Sequence, residues 1–290
     1  MTPDTKDRIE QVLKVKITGT QSVGGGDINV ATRVELADGR RAFVKTNLTA
    51  PKGMFPAEAR GLGWLTEPGV IRTPSVYAVC RDESTGQAAY LVLEWIAPGR
   101  PCQDFDEKLG QRLAQLHQAA PAGFGFDSDN FIGSLPQDNR SLPSWPEFFY
   151  SRRLEPQVKR AANTGRLDAA TVYNFEKLAA RLADLFAVNE PPARLHGDLW
   201  SGNLHVDSEG EPCLIDPAVY GGHREMDLGM MRLFGGFSAR VFDAYAEQYP
   251  LSPGYQDRIQ LMQLYPLLVH VNLFGGGYVA SVRNAVKKYV

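Results

Sequence analysis

Cysteine is scarce in this 290-residue chain. The three that occur, Cys80, Cys102 and Cys213, lie far apart, and no CxxC pair is present. An odd number of dispersed cysteines argues against a disulfide framework and against a cysteine-ligated zinc site. Because thiols of this kind are typical of a reducing compartment, we predict a cytoplasmic protein.

The sequence also lacks a long hydrophobic segment. Its first residues, MTPDTKDRIEQVLK, are polar and charged and contain no apolar stretch of the kind that a secretory signal needs. The longest apolar region, Leu264–Phe274, is interrupted by Pro266, His270 and Asn272 and is too short to span a bilayer. We therefore predict no membrane partner.

Neither sign of charge is in clear excess, since the net charge is −2. Such a balance gives no indication of a nucleic acid or an acidic membrane as partner. The five histidines are scattered and no H-E-x-x-H pattern occurs, which argues against a zinc hydrolase. Composition is otherwise that of an ordinary globular protein, with 43% hydrophobic and 22% charged residues.

The first third of the chain is rich in predicted strands. A short helix over residues 4–13 precedes two alternating segments joined at Asp38-Gly39, a dipeptide typical of hairpin turns. Another helix is expected after Pro56, because proline is favoured in the first helical turn. Further strands are predicted over residues 75–80 and 88–94.

Residues 95–101, WIAPGRP, interrupt this pattern with two prolines and a glycine, and they predict a lobe boundary. Helical stripes then dominate, one of them on a helix that Asp168 is placed to cap. The order predicts an α+β, protein-kinase-like fold with two lobes. The N-terminal lobe, residues 1–95, is β-rich with one internal helix, and the C-terminal lobe, residues 96–290, is mainly helical.

Several N-terminal residues are candidates for binding a nucleotide. The glycine run of Gly24, Gly25 and Gly26 can close over phosphates, although glycine clusters in hairpin loops are more often simple turns. Lys45, at the end of a strand, is in the position of a lysine that reaches the α- and β-phosphates, or else is a solvated strand-end residue. Glu58 shares a helix face with leucines, and a buried glutamate needs a partner, for which Lys45 is the obvious choice.

The segment of Glu94, Trp95 and Ile96 follows an apolar strand at the predicted boundary. Main-chain groups at these residues are candidates for hydrogen bonding an adenine ring. An ordinary core strand explains the same apolar pattern, and the sequence does not decide between the two.

The most specific pattern is HGDLWSGN, residues 196–203, followed by CLIDP, residues 213–217. An aspartate, an asparagine five residues later and a second aspartate recur in phosphoryl-transfer enzymes. We assign Asp198 to the proton of the attacking hydroxyl, and Asn203 and Asp216 to Mg²⁺ on ATP. Gly197 stands where protein kinases carry arginine, which points away from protein substrates.

Three neighbouring residues are open to a structural interpretation. His196 is predicted to hydrogen-bond within the loop and not to act as a base. Asp227 is explained by helix capping, with bracing of the catalytic loop slightly favoured. Trp200 is a candidate contact for a carbohydrate-like acceptor, and a core tryptophan is an equal alternative.

These residues together resemble the fructosamine kinase (ketosamine-3-kinase) family, relatives of aminoglycoside and choline phosphotransferases. The similarity is carried by HGDLWSGN, by residues 215–230, by two blocks within residues 125–156, and by LLVHVNLFGGGYV near the C-terminus. Many family members carry a cysteine after the loop glycines where this chain has Asp27, so a disulfide switch is not expected.

The resemblance implies an enzyme that uses ATP and Mg²⁺ to phosphorylate the 3-hydroxyl of a ketosamine, free or on a protein lysine. The phosphorylated adduct then decomposes, which restores the amine and repairs glycation. Two alternatives stay open at this point. One is a phosphotransferase for another small hydroxyl acceptor, such as an aminoglycoside, choline or a sugar, and the other is a nucleotide-binding pseudokinase scaffold.

Overall fold

The computed structural model describes residues 1–24, 29–80, 88–186 and 190–290. Its N-terminal part is built on a five-stranded antiparallel sheet with the spatial order first, second, third, fifth, fourth strand. The strands are β1 (Ile17–Val23), β2 (Val30–Leu36), β3 (Arg41–Asn47), β4 (Val76–Val79) and β5 (Ala89–Glu94). Helices α1 (Pro3–Leu13) and α2 (Met54–Thr66) complete this lobe.

Period-two alternation along β2 and β3 divides the side chains between the two faces of the sheet. One face packs Val34, Val44 and Val92 against Ile9 of α1. On the other side, a separate cluster joins residues of β5 to Phe55 and Leu62 of α2. Helix α2 is therefore held over the face of the sheet that also carries Lys45.

Two details of this lobe differ from the sequence-based expectation. Strand β1 was not predicted as a strand, because it is an edge strand whose residues after Ile17 are exposed or half-buried and mostly polar. Helix α2 begins at Met54 and not after Pro56, since Gly53 at φ +83° turns the chain into the helix.

The C-terminal part is mainly helical, as predicted. A π-helical stretch, Phe149–Leu154, joins α4 (Trp145–Phe148) to α5 (Glu155–Asn163). Asp168 caps the following helix by accepting the Thr171 amide at 2.8 Å, which confirms that prediction. The remaining helices are α3 (Phe105–Gln118), α6 (Ala169–Leu185), α7 (Glu225–Phe234), α8 (Ala239–Gln248), α9 (Tyr255–Met262), α10 (Leu264–Phe274) and α11 (Tyr278–Val286).

Three short antiparallel strand pairs connect these helices to the cleft. They are β6 (Asn130–Ile132) with β7 (Leu135–Gln137), β8 (Ala193–Leu195) with β11 (Tyr220–Gly222), and β9 (Leu204–Val206) with β10 (Pro212–Leu214). The loop between β8 and β9 contains the HGDLWSGN motif, and the segment after β10 contains Asp216. Two large apolar clusters beneath them fix both segments in the C-terminal lobe.

This arrangement confirms the α+β, protein-kinase-like fold with a β-rich N-terminal lobe and a helical C-terminal lobe. The exact division at residue 95 stays a prediction. Over the described ranges, none of the helices combines the length and the apolarity required to cross a lipid bilayer.

Candidate active site

The turn that carries the HGDLWSGN motif is held in place by Asp227 on α7. Its two carboxylate oxygens accept the main-chain amides of His196 at 2.8 Å and Gly197 at 2.9 Å. His117 of α3 lies 3.2 Å from the same carboxylate. Because α7 already begins at Glu225, Asp227 is not the cap of this helix, and the capping interpretation is wrong. Asp227 braces the loop.

Gly197 allows the close approach that this turn requires. Its φ is +82°, and a Cβ there would lie 2.0 Å from the Ala218 carbonyl oxygen. Arginine, which protein kinases have in this position, has no room here. The neighbouring His196 ring is fully buried and its Nε2 lies 2.9 Å from the Ile215 carbonyl, so its predicted structural role is supported.

The structure brings Asp198, Asn203 and Asp216 together at one point of the cleft. Asn203 Nδ2 donates to the Asp198 carbonyl at 2.8 Å and to Asp198 Oδ2 at 3.2 Å. It also lies 3.4 Å from the Asp216 carbonyl. Asp216 has φ +57°, a left-handed conformation that is uncommon for a residue with a side chain and that recurs at functional sites.

The electrostatic surroundings of Asp198 favour its protonated form. Burial raises the pKa of its carboxyl to about 7, and the nearby charges of Asp216 and Asp227 act in the same direction. The hydrogen bond from Asn203 opposes this rise without cancelling it. A carboxyl with a pKa near neutrality can accept a proton and release it again at physiological pH.

Lys45 lies between two carboxylates, one from each lobe. Its Nζ is 2.7 Å from Glu58 Oε1 on α2 and 2.6 Å from Asp216 Oδ1. The Lys45–Glu58 ion pair expected from the sequence is therefore present. Burial alone would lower the pKa of Lys45, but the two carboxylates outweigh it and raise the pKa above its ordinary value. Lys45 stays positively charged although only 5% of it is exposed.

These residues line a cleft of about 910 Å³ between the lobes. Gly24 and the segment Glu94–Trp95–Ile96 line its N-terminal side, together with Lys45 and Glu58. Gly25, Gly26 and Asp27 lie outside the described residues. The HGDLWSGN loop and Asp216 form the opposite wall.

Trp200 lines the outer part of this cleft and is 41% exposed, so it is not a core residue. Its ring meets Phe234 edge to face at 6.4 Å. Phe234 in turn contacts His270, which contacts Phe274 and Tyr278. An aromatic wall thus continues from Trp200 along α7 and α10, a feature that sequence spacing did not reveal.

Sequence reasoning also missed a buried polar network behind the Asp216 segment. Asn130 Nδ2 donates to the Val219 carbonyl at 2.8 Å, and Gln137 Nε2 donates to the Ala218 carbonyl at 3.1 Å. The fully buried Arg153 supports this pair through Asn139, at 2.6 Å. The motif block of residues 125–156 therefore fixes the chain just after Asp216.

Comparison with known proteins agrees with this geometry. The family model described as "Fructosamine kinase" matches residues 1–290. A probable ketoamine kinase of Enterococcus faecium is 38% identical over 268 residues, which cover 92% of this chain and 94% of that protein. The chloroplastic protein-ribulosamine 3-kinase of Oryza sativa subsp. indica is 40% identical over 281 residues, covering 95% and 80%.

Among solved structures, a crystal structure named as a candidate fructosamine-3-kinase from Thermobifida fusca is similar throughout. It is 38% identical, superposes with a TM-score of 0.89, and covers 99% of this chain and 98% of its own. Full-length agreement in sequence and in fold, around a cleft with this set of charged groups, leads to one conclusion. The chain belongs to the fructosamine kinase family.

Proposed function

We propose that this protein is an ATP-dependent kinase that phosphorylates the 3-hydroxyl of ketosamines. The observation that carries the proposal is the convergence of Lys45, Glu58, Asp198, Asn203 and Asp216 in one interlobe cleft. The two relatives named above as a ketoamine kinase and a ribulosamine 3-kinase support this acceptor class.

In the proposed reaction, the 3-hydroxyl oxygen forms a bond to the γ-phosphorus of ATP. The bond between that phosphorus and the bridging β-phosphate oxygen breaks, and ADP leaves with the electron pair. Asp198 orients the hydroxyl and accepts its proton, which its pKa near 7 allows. Lys45, held by Glu58, supplies a fixed positive charge to the α- and β-phosphates.

Asn203 and Asp216 are the proposed ligands of a divalent cation, for which we propose Mg²⁺. An amide oxygen and a carboxylate suit a hard cation that keeps water and phosphate oxygens as its other ligands. Asn203 uses its Nδ2 in hydrogen bonds to residues 198 and 216, which leaves its Oδ1 as the metal-binding atom. When bound, the cation neutralises charge on the phosphates.

For the nucleotide, we propose that Gly24, Gly25 and Gly26 cover the phosphates and that the main chain of residues 94–96 binds adenine. Two groups of that segment already have partners. The Glu94 amide donates to the Ser75 carbonyl at 2.8 Å, and the Ile96 carbonyl accepts from His205 at 3.1 Å. We therefore assign the adenine contact to the main chain of Trp95 and to the Ile96 amide.

For the acceptor, we propose that the face of Trp200 packs against the C–H groups of the sugar. Phosphorylation at O3 makes the adduct unstable, so that the phosphorylated sugar separates from the amine and the free amine is restored. We infer the same repair role for this chain, with either free or protein-bound ketosamines as substrates. A cytoplasmic location is part of this proposal; the rice relative is named as chloroplastic.

ADP release with ribulosyl-lysine and fructosyl-lysine tests the proposal, with an aminoglycoside, choline and a free sugar as competing acceptors. The wild type is expected to turn over at least one ketosamine and none of the other acceptors. Asp198→Asn removes the proton acceptor and is expected to lower kcat by about 10³-fold or more. Asp243→Asn, at an exposed aspartate of α8, is the control and should retain full activity.

Turnover of another acceptor in place of a ketosamine would make the protein a phosphotransferase of different specificity. Nucleotide binding without transfer to any acceptor would favour a scaffold. If Asp198→Asn matched the wild type, Asp198 would lose its assigned role.

A further inference from the structure

The β9–β10 hairpin connects the proposed catalytic residues to residues 94–102, which cross between the lobes and are called the crossing segment below. Asn203 directly precedes β9, and Asp216 follows β10 by two residues. At the other side of the hairpin, His205 Nε2 donates to the Ile96 carbonyl at 3.1 Å. The Gly99 amide donates to the Val206 carbonyl at 2.9 Å. One small element thus contacts both the crossing segment and the residues around the phosphates.

Asp207, in the turn of this hairpin, is the centre of a second set of contacts. Its side chain is 3% exposed, and its Oδ1 accepts the amides of Glu209 and Glu211, each at 2.9 Å. Its Oδ2 accepts from Nη1 of Arg72, which comes from the N-terminal lobe. Nη2 of the same guanidinium donates to Glu94 at 2.7 Å. A single arginine therefore joins the hairpin turn to the end of β5.

The hairpin and the crossing segment are in close contact at two glycines. A Cβ on Gly99 would lie 1.9 Å from the Asp207 carbonyl oxygen. A Cβ on Gly210 would lie 2.7 Å from the Cys102 amide nitrogen. Backbone meets backbone at both points, so the hairpin and the segment cannot shift independently by much.

We propose that Arg72, Glu94, His205 and Asp207 act together as positioning residues for the nucleotide, and we name them the hinge clamp. The clamp sets the separation between residues 94–96, at the adenine end, and Asn203 and Asp216, at the phosphate end. This inference rests on the proposed use of ATP. It goes beyond the proposed use of ATP, because the contacts proposed above for adenine involve only main-chain groups and none of these four side chains.

The charge arrangement explains why loss of one member has consequences. Asp207 is buried, and Arg72 is its one cationic partner in the described part of the chain, so removing Arg72 leaves a buried, unpaired carboxylate. We expect the turn to move so that this carboxylate reaches water. Because the main chain of Asp207 packs against Gly99, the crossing segment moves with the turn. Loss of the His205 donor leaves the Ile96 carbonyl without this hydrogen bond. The Ile96 amide, which we assign to adenine, is then held less firmly in place.

The test measures ADP affinity by calorimetry without any acceptor, together with separate KM values for ATP and for the ketosamine. Arg72→Gln and His205→Leu are each expected to raise the ADP Kd and the ATP KM about tenfold. The ketosamine KM should stay within about twofold, because the hydrogen bonds of the clamp join the adenine end to the hairpin turn. His205→Gln restores a side-chain donor and should recover much of the affinity.

Arg240→Gln is a matched control. Arg240 resembles Arg72 in exposure, at 41% against 39%, and each of the two arginines pairs with two carboxylates. The partners of Arg240 are Glu107 and Glu247, and it lies on α8 away from the cleft. It should leave both KM values unchanged. If Arg72→Gln fails to fold, the His205→Leu and His205→Gln pair decides the question.

Unchanged ADP affinity in the folded Arg72 and His205 variants would overturn the hinge clamp. So would an equal loss in His205→Gln and His205→Leu. If the proposed acceptor is wrong, no ketosamine is turned over, but ADP still binds the wild type and still binds the variants more weakly. The two failures can therefore be told apart.

Discussion

At the scale of single residues, the site depends on how Lys45 and Asp198 are surrounded. Lys45 keeps its charge because Glu58 and Asp216 both contact it. Among the described residues, no cation is in contact with Asp198, and its burial near other acids raises its pKa to about 7. The cleft therefore combines a permanent positive charge, which we propose contacts phosphates, with a carboxyl that changes protonation near neutral pH.

This difference predicts a pH dependence of kcat/KM for the ketosamine. Only ionised Asp198 can accept the hydroxyl proton, so kcat/KM should fall as pH drops through about 7, by about tenfold per unit well below it. The measurement is a pH profile of ADP release at low ketosamine concentration.

Two ketosamines whose amines differ in pKa provide the control, because a limb that belongs to Asp198 keeps its midpoint with both. A midpoint that follows the substrate amine would assign the limb to the substrate. A flat profile between pH 5 and pH 8 would remove Asp198 as the titrating base.

At the scale of elements, helix α2 matters because it carries Glu58 and packs directly on the segment after Asp216. Gly61 makes this packing possible. A Cβ at this position would lie 3.3 Å from Val219 and 3.5 Å from Pro217. Gly61 thus allows the helix that carries Glu58 to lie close to the segment after Asp216.

We predict that Gly61→Val raises the ATP KM by about tenfold and lowers thermal stability. The added methyl groups push α2 away from residues 217–219 and carry Glu58 away from Lys45, and overpacking of this kind costs about 1–3 kcal/mol. Steady-state kinetics and a melting curve measure both effects.

Gly63→Val is the matched control on the same helix, because a Cβ at Gly63 has nothing within 4 Å. It should leave the ATP KM unchanged. Equal kinetic effects of the two substitutions would mean that α2 acts through its helix propensity and not through its contact with the Asp216 segment.

At the scale of the whole molecule, the cleft is lined by both lobes, and the Lys45–Asp216 ion pair crosses it. A ligand that bridges the same groups binds only the folded arrangement. Its binding energy therefore adds to the stability of the whole protein.

We predict that ADP with Mg²⁺ raises the melting temperature, since a ligand at one hundred times its Kd stabilises by about 2.7 kcal/mol. Removal of the metal with EDTA should cancel most of this shift. In Asp216→Asn the shift should be small with or without metal. A wild-type shift that is equal in EDTA would show that the cation does not contribute to nucleotide binding.

Sequence alone predicted a β-rich first part followed by a mainly helical one, and it singled out the HGDLWSGN motif. It could do so because these signals are local: alternation in β2, the Asp168 cap, and the short spacing of Asp198, Asn203 and Asp216. Edge strand β1 was missed, since a strand with few buried residues has little apolar alternation to detect.

Only the tertiary structure decided which distant groups meet. Lys45 and Asp216 are 171 residues apart, Arg72 and Asp207 are 135 apart, and no local pattern relates the members of either pair. The tertiary structure also decided that Asp227 braces the loop and does not cap a helix, and that Trp200 is exposed. Spacing along a chain determines which residues share a turn or a face, whereas contacts across a cleft arise only when separate elements pack together.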